Sequence, residues 1–261
     1  MIQIPGYDLN AFDASSLTEL ERAILRQKMQ SPATYRYDSP GALLFELNMR
    51  SRIVAAARAL NASGASFTTF DRSYANERYW TLDERGGFRQ NPGVSPSEAL
   101  NDIYVNGRLY GFECATAMVI ILYKAVLDMI GRNAFHAYFN NLLLYDWHYD
   151  NDLQLQTVND FREAYPGDVL YFRNPDHDPD KPEWQGENVI KLGNDLYFGH
   201  GIGIGSAADM IAALNRARRP GSTTSAYLTD QANYPDFGYL YRLAQPFAAR
   251  IGSRSYRYIF V

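Results

Sequence analysis

The apolar positions of this chain fall into two regimes. In several segments between Ser16 and Gly131 they recur at helical spacing, and from Gly167 onward they run in short blocks separated by turns. Leu43, Leu44, Leu47, Ile53, Val54, Ala57 and Leu60 trace one helix face, which Ser39 caps, Pro40 opens and Asn61–Gly64 closes. Ser16–Gln30 reads as an exposed helix. Its acids come early (Glu19, Glu21) and its bases late (Arg22, Arg26, Lys28), an order that complements the helix dipole. Pro96 starts a helix towards Val105 that Asn106-Gly107 stops. The longest apolar stretch is Ala115–Ile130, interrupted by Lys124 and Asp128. A membrane span wants about 20 apolar residues, so the stretch predicts a buried helix ending at Gly131, followed by mixed helix over Asn133–Leu144.

Strands are predicted at Ser66–Arg72, Arg78–Leu82 and, after the Gly86-Gly87 turn, Phe88–Gln90. Later come Asp168–Arg173 (DVLYFR), Asn188–Leu192 (NVIKL) and Leu196–Ile204 (LYFGHGIGI). A polar loop over Asn174–Trp184 and a Gly193-Asn194-Asp195 turn separate them. A helix over Ala207–Arg218 and a terminal strand over Arg254–Val261 complete the pattern. Helices first and an antiparallel meander second predict an α+β fold. It is expected to be a single domain over 1–261, with its catalytic core at about 39–241 and an antiparallel sheet packed against the Cys114 helix.

Composition narrows the chemistry. A chain of 261 residues can bury a large core without staples. A net charge of −4 and no basic stripe argue against nucleic-acid binding. One cysteine excludes an intrachain disulfide, and four scattered histidines argue against a zinc site, so no metal or cofactor is expected. Met1–Asn10 shows no charged start followed by an apolar run, so no secretory signal is expected.

The lone Cys114 lies at the mouth of the apolar helix, where the positive end of the dipole favours the nucleophilic thiolate. The alternative is a small buried hydrophobe. Pairing back from the Gly193-Asn194-Asp195 turn puts Glu187 opposite His200 or one position away. If the Cys114 helix packs across that hairpin, thiol, carboxylate and imidazole converge, as in papain-like cysteine enzymes. The glycines of GHGIG mark a place where something approaches the backbone closely. Glu113 is either a first-turn acid suited to the dipole or a second partner for the thiol. Asp146 and His148 read as a structural or rim pair. With 20 Tyr, 14 Phe and 3 Trp, the chain has aromatic walls to offer. Trp184, Trp147, Tyr171 and Phe198 are candidate substrate-binding walls as well as ordinary core residues, with Trp184 foremost because it lies three residues from Glu187.

The blocks FECATAMVII, ILYKAVLDMIG, LLLYDWHYD, GDVLYFRNPDHDPDKPEWQGENVIKLGNDLYFGHGIGI and SAYLTDQA, with ELNMRSRIVAAARALNASGASFTTF before them, resemble the spore-coat protein-glutamine gamma-glutamyltransferases of bacilli. The likeness runs from about Ser39 to Tyr241. It implies a calcium-independent transglutaminase on a papain-like core related to NlpC/P60 hydrolases. It also implies spore coat proteins as glutamine and lysine donors, and a place in the spore coat or the mother-cell cytoplasm. No nucleic-acid or membrane partner is implied. Cys114 matches the family nucleophile, Glu187 its acidic partner and Glu113 the acid that shares the role. His200 matches the GHG segment beside the site. A carboxylate near pKa 4.3 is a poor base for a thiol near 8.5, a gap of about 4 units. Burial of Glu187 should narrow that gap, leaving a neutral resting thiol and proton transfer concerted with attack. A cysteine amidase or peptidase would use the same core. A tyrosine-rich coat component without activity is the alternative from outside enzymology.

Overall fold

The computed structural model describes residues 1–245, 247–251 and 254–258. Thr18 opens α1 (Glu19–Gln30) with a capping box. Its hydroxyl accepts from the Glu21 N–H, and the Glu21 carboxylate accepts from the Thr18 N–H. The helix is not exposed as expected: Ile24, Leu25 and Lys28 are buried. The Lys28 ammonium is drawn inward by Glu46, 2.8 Å away. Ser39 caps α2 (Pro40–Ala62) through the Ala42 N–H, with Pro40 in the first turn as predicted. α3 spans Pro96–Val105 and α4 Cys114–Tyr138.

From Cys114 to Leu127 α4 is apolar on nearly all sides because other elements cover it there. It packs on α2, α3 and α6 (Phe237–Ala244), and against the sheet. Gly131 breaks it with φ 79° where the sequence predicts its end, and a further helical piece runs on to Tyr138. The mixed helix expected to Leu144 therefore stops sooner.

Six strands form the main sheet: β1 (Gln156–Val158), β2 (Val169–Arg173), β3 (Gly186–Gly193), β4 (Leu196–Gly199), β5 (Gly203–Gly205) and β6 (Tyr227–Tyr234). Their spatial order is β5-β4-β3-β2-β6-β1, with antiparallel neighbours. The meander thus holds from β2 to β5, while β6 inserts between β2 and β1. Strand alternation feeds two cores. Val169, Ile190 and Phe198 join the helices α2, α3, α4 and α6, whereas Leu170, Val189 and Tyr197 face α5 (Ala207–Arg216). Burial on both faces explains why these strands read as continuous apolar runs.

Three expected strands are shorter than predicted. Leu196–Ile204 is two strands, because the chain turns through His200, Gly201 and Ile202 and Gly203 takes φ 98°. Ser66–Arg72 reduces to a two-residue strand, Ser66–Phe67, and a 3₁₀ turn at Phe70–Arg72. Arg78–Leu82 reduces to Trp80–Leu82. Near the C-terminus Arg254–Tyr258 pairs with Phe247–Ile251, and the last three residues of the predicted strand lie outside the described ones.

Candidate active site

Cys114 is delivered by the segment before it. Gly111–Phe112 pairs in parallel with Ser66–Phe67, and the chain enters α4 directly from there. Glu113 is the N-cap: its Oε2 accepts from the Ala115 N–H at 2.6 Å. Its other oxygen, Oε1, accepts from the Cys114 thiol at 3.0 Å. The acid read as a first-turn residue therefore serves helix and sulfur together.

Glu187 pairs with Phe172 on β2 and is fully buried. Across β3 and β4 the register places Val189 opposite Gly199, which sets Glu187 one position from His200 as expected. The glycines around His200 have a definite use. A Cβ on Gly199 would fall 2.7 Å from the Glu187 carboxylate, and one on Gly201 would fall 3.0 Å from it. The object that approaches that backbone is the acid itself. Gly201 donates its N–H to Glu187 Oε1 at 2.9 Å, while Oε2 is buried with no hydrogen-bond partner among the described residues.

His200 turns elsewhere. Its Nε2 donates to the Ser66 carbonyl at 3.1 Å, and its ring stacks on Phe112 at 4.4 Å between centroids. Burial lowers its pKa to about 4, so the imidazole is neutral at pH 7. Its other ring contacts are to Phe67 and Phe198, so among the described residues its hydrogen bond and ring contacts run past the catalytic candidates. It pins the turn that holds Glu187 to the segment that holds Cys114.

Asn188 was missed by sequence reasoning. Its backbone N–H lies 3.5 Å and its Nδ2 3.3 Å from the Cys114 sulfur. Its Oδ1 accepts from the Trp147 indole N–H at 2.9 Å, which fixes the orientation of the amide. An asparagine between Glu187 and Val189 carries no local signal, because its partners come from helix and loop segments far along the chain.

Cys114 is almost fully buried yet opens onto a cleft of about 540 Å³. Trp147 and Tyr171 line that cleft, as do Asp146, Arg173, Glu183 and Gln185. Two of the four aromatic candidates do not line it. Phe198 is buried in the main core, because strand alternation turns it towards the helices. Trp184 packs on Phe67 with centroids 5.6 Å apart and against the α5 side, while its neighbours Glu183 and Gln185 take the wall. Asp146 and His148 pair with each other on the rim, Nδ1 to Oδ1 at 2.6 Å.

The electrostatics keep the thiol neutral. Burial raises Cys114 well above its usual range, and the charges of Glu187 and Glu113 add to the shift. Asn188 opposes it without overcoming it, so the net shift is upward and the resting thiol is neutral as expected. Burial lifts Glu187 to about 8 against the Gly201 N–H, with Glu113 adding repulsion. Burial also raises Glu113, although Cys114 and Ala115 donate to it. Two carboxyl groups therefore act on a neutral thiol at the foot of an open cleft, and burial raises the proton affinity of all three. The arrangement suits nucleophilic attack coupled to proton transfer.

A sequence model of the protein-glutamine gamma-glutamyltransferase family matches residues 1–244. A protein-glutamine gamma-glutamyltransferase of Halalkalibacterium halodurans is 46% identical over 230 residues, covering 88% of this chain and 81% of that relative. One of Bacillus subtilis is 44% identical over 223 residues, covering 85% of this chain and 90% of that relative. The solved structure of a transglutaminase from Geobacillus stearothermophilus, without its C-terminal extension, superposes with a TM-score of 0.75 at 52% identity. It covers 78% of this chain and 97% of that one.

Proposed function

This chain belongs to the protein-glutamine gamma-glutamyltransferase family and is an acyltransferase, and from that premise we propose how its cleft transfers the acyl group. Cys114 attacks the carboxamide carbon of a protein glutamine while its proton passes to a flanking carboxylate. Glu113 touches the thiol and Glu187 stands beside it, so either can receive that proton. The carbonyl oxygen becomes an oxyanion, and the Asn188 backbone and side-chain N–H groups are the donors nearest the sulfur. Collapse returns the proton to the leaving nitrogen, ammonia departs, and a thioester remains on Cys114. A protein lysine amine then attacks the thioester and gives its proton to the same carboxylate; the C–S bond breaks, the carboxyl group returns the proton to the Cys114 sulfur, and the product leaves as an isopeptide.

The observation that carries this reading is the 3.0 Å contact between the Cys114 thiol and Glu113, beside a second carboxyl raised to about 8. An acid of ordinary strength would hold its proton too weakly to serve in both directions. Each step uses groups the chain carries, and the likeness to the family supports the reading that no calcium is needed. Trp147 and Tyr171 restrict water at the thioester and favour transfer over hydrolysis. His200 keeps the base-bearing turn and the nucleophile in register. The likeness of its sequence blocks to the spore-coat enzymes of bacilli points to spore coat proteins as substrates, met in the mother-cell cytoplasm and in the coat.

The test is incubation with a glutamine-containing protein and a labelled primary amine, with EGTA present. Amine incorporation matched by ammonia release is expected. Mass spectrometry of acid-quenched enzyme given the glutamine substrate alone should find the acyl adduct on Cys114. Peptide-bond cleavage without incorporation would overturn the reading in favour of a hydrolase.

A further inference from the structure

The amine acceptor in this reaction is a lysine, which makes the chain's own lysines informative. There are four, at positions 28, 124, 181 and 191, against 21 arginines. Arginine supplies positive charge without supplying a nucleophile, because its guanidinium does not deprotonate in water. Lysine is ordinarily among the commonest residues, so most cationic positions of this chain are closed to the chemistry that it performs.

Three of the four lysines are withdrawn as well. Lys28 is buried, lies 2.8 Å from Glu46 and has its ammonium over the Tyr35 and Tyr165 rings at 4.0 and 4.5 Å. Lys191 is half-buried and donates to the Ala164 carbonyl at 2.8 Å. Lys124 donates to both oxygens of Asp128 at 2.6 Å, and its side chain is only 17% exposed. An acceptor lysine must extend its whole side chain into a cleft that ends on a nearly buried sulfur, and none of these three can do so without leaving its partners.

Lys181 differs on each count. Its side chain is 57% exposed, and its one ion pair among the described residues, to Asp178, spans 4.0 Å. It caps the 3₁₀ turn Pro182–Trp184, in the polar loop whose Pro175, His177 and Glu183 line the cleft. We propose that Lys181 is this enzyme's own acceptor site. In this reading, which rests on the proposed thioester, a second copy of the enzyme carrying a γ-glutamyl group on Cys114 acylates Lys181. The Lys181 nitrogen attacks the acyl carbon, the C–N bond forms and the C–S bond breaks. The amine proton passes through the carboxylate to the departing sulfur. The product is an isopeptide that ties the enzyme to the protein it was cross-linking, and the arginine-rich surface confines that event to a single position.

The experiment uses the full chain with a biotinylated glutamine-donor peptide and no added amine, followed by digestion and mass spectrometric mapping. In parallel, incorporation of a small diamine into the same peptide is measured. The expected result is label at Lys181 at least about ten times that at any other lysine, equivalent to about 1.4 kcal/mol of preference. Lys181→Arg should abolish enzyme labelling and leave diamine incorporation unchanged. Mixing Cys114→Ala chains with active enzyme should label Lys181 of the inactive copy. Label spread evenly over Lys124, Lys181 and Lys191, or no label while diamine incorporation is brisk, would overturn the proposal and leave the proposed function standing. Failure of diamine incorporation itself would remove both.

Discussion

Two buried clusters of ionisable groups lie in this molecule, and they are built on opposite principles. In one, Lys28, Glu46, Arg50 and Asp168 alternate in sign. Arg50 reaches Glu46 at 2.7 Å and Asp168 at 2.6 Å, and Lys28 reaches Glu46 at 2.8 Å. In the other, Glu113 and Glu187 flank Cys114, and no cation is among the groups that set the Glu187 pKa. Burial alone would raise every acid involved. At Glu46 the Lys28 and Arg50 charges outweigh that effect and hold the acid at about 2; at Glu187 nothing does, and the acid rises to about 8. Pairing makes the first cluster a fastener between α1, α2 and β2. Lack of pairing leaves the second with a proton it can exchange near neutral pH.

The sharpest way to break the contrast is at the sulfur. Cys114→Ala should lower amine incorporation by about 10⁴-fold or more while barely changing the denaturation midpoint, since a thiol and a methyl group differ little in packing. The acids come next. Glu113→Gln and Glu187→Gln should each leave residual transfer, and the double variant should leave none above background in the same assay. Full activity in the double variant would show that neither carboxyl moves the proton.

In the paired cluster the expected damage is to folding. Arg50→Met leaves Asp168 buried without its cation and Glu46 with Lys28 alone, and should cost about 3–5 kcal/mol in urea denaturation. Its effect on turnover, measured well below the midpoint, should be small. pH then separates the two designs. Glu187 is raised from 4.5 to about 8, so the folded state keeps a proton that the unfolded chain releases. Wild-type stability from this group is present below about pH 4.5, is lost as pH rises to about 8, and is flat above. Glu187→Gln escapes that loss, and should be more stable than wild type by roughly 3–5 kcal/mol at pH 9 and by almost nothing at pH 4. Glu46 runs the other way: its contribution is present above about pH 4.5 and is lost as pH falls through about 2. A Glu187→Gln midpoint that tracks wild type at every pH would dissolve the distinction.

The smallest expected effect is at Trp147. Replacing it by Phe keeps most of the wall but frees the Asn188 amide. kcat should fall about ten-fold with KM changed less. A rise in KM with kcat unchanged would make Trp147 a binding surface only.

The sequence disclosed what is local. Ser39 and Pro40 cap α2 because a hydroxyl and a fixed φ act within one turn, and Gly131 ends the rigid part of α4 because its backbone is left-handed there. Cys114 at a helix start and Glu187 beside the GHG turn were legible for the same reason. What failed depends on distant partners. Lys28 looked like a solvated base until Glu46 of α2 drew it in. Leu196–Ile204 looked like one strand, because the break is imposed by a carboxyl group from β3. Tyr171 and Phe198 looked alike, but alternation along neighbouring strands turns one to the cleft and the other to the core. Asn188 acquires its role only when Trp147 arrives from another part of the chain.

The carboxyl group of Glu187 is gripped by peptide backbone: one amide hydrogen from Gly201 and bare α-carbons on either side of His200. Its burial, which lifts its proton affinity, therefore depends on the path of a loop. Libraries that shuffle the cleft side chains but keep Glu113 would change that property little, whereas a single methyl group added at either glycine would displace the carboxyl group. Engineers who want this catalyst to work at a different acidity should redesign the turn.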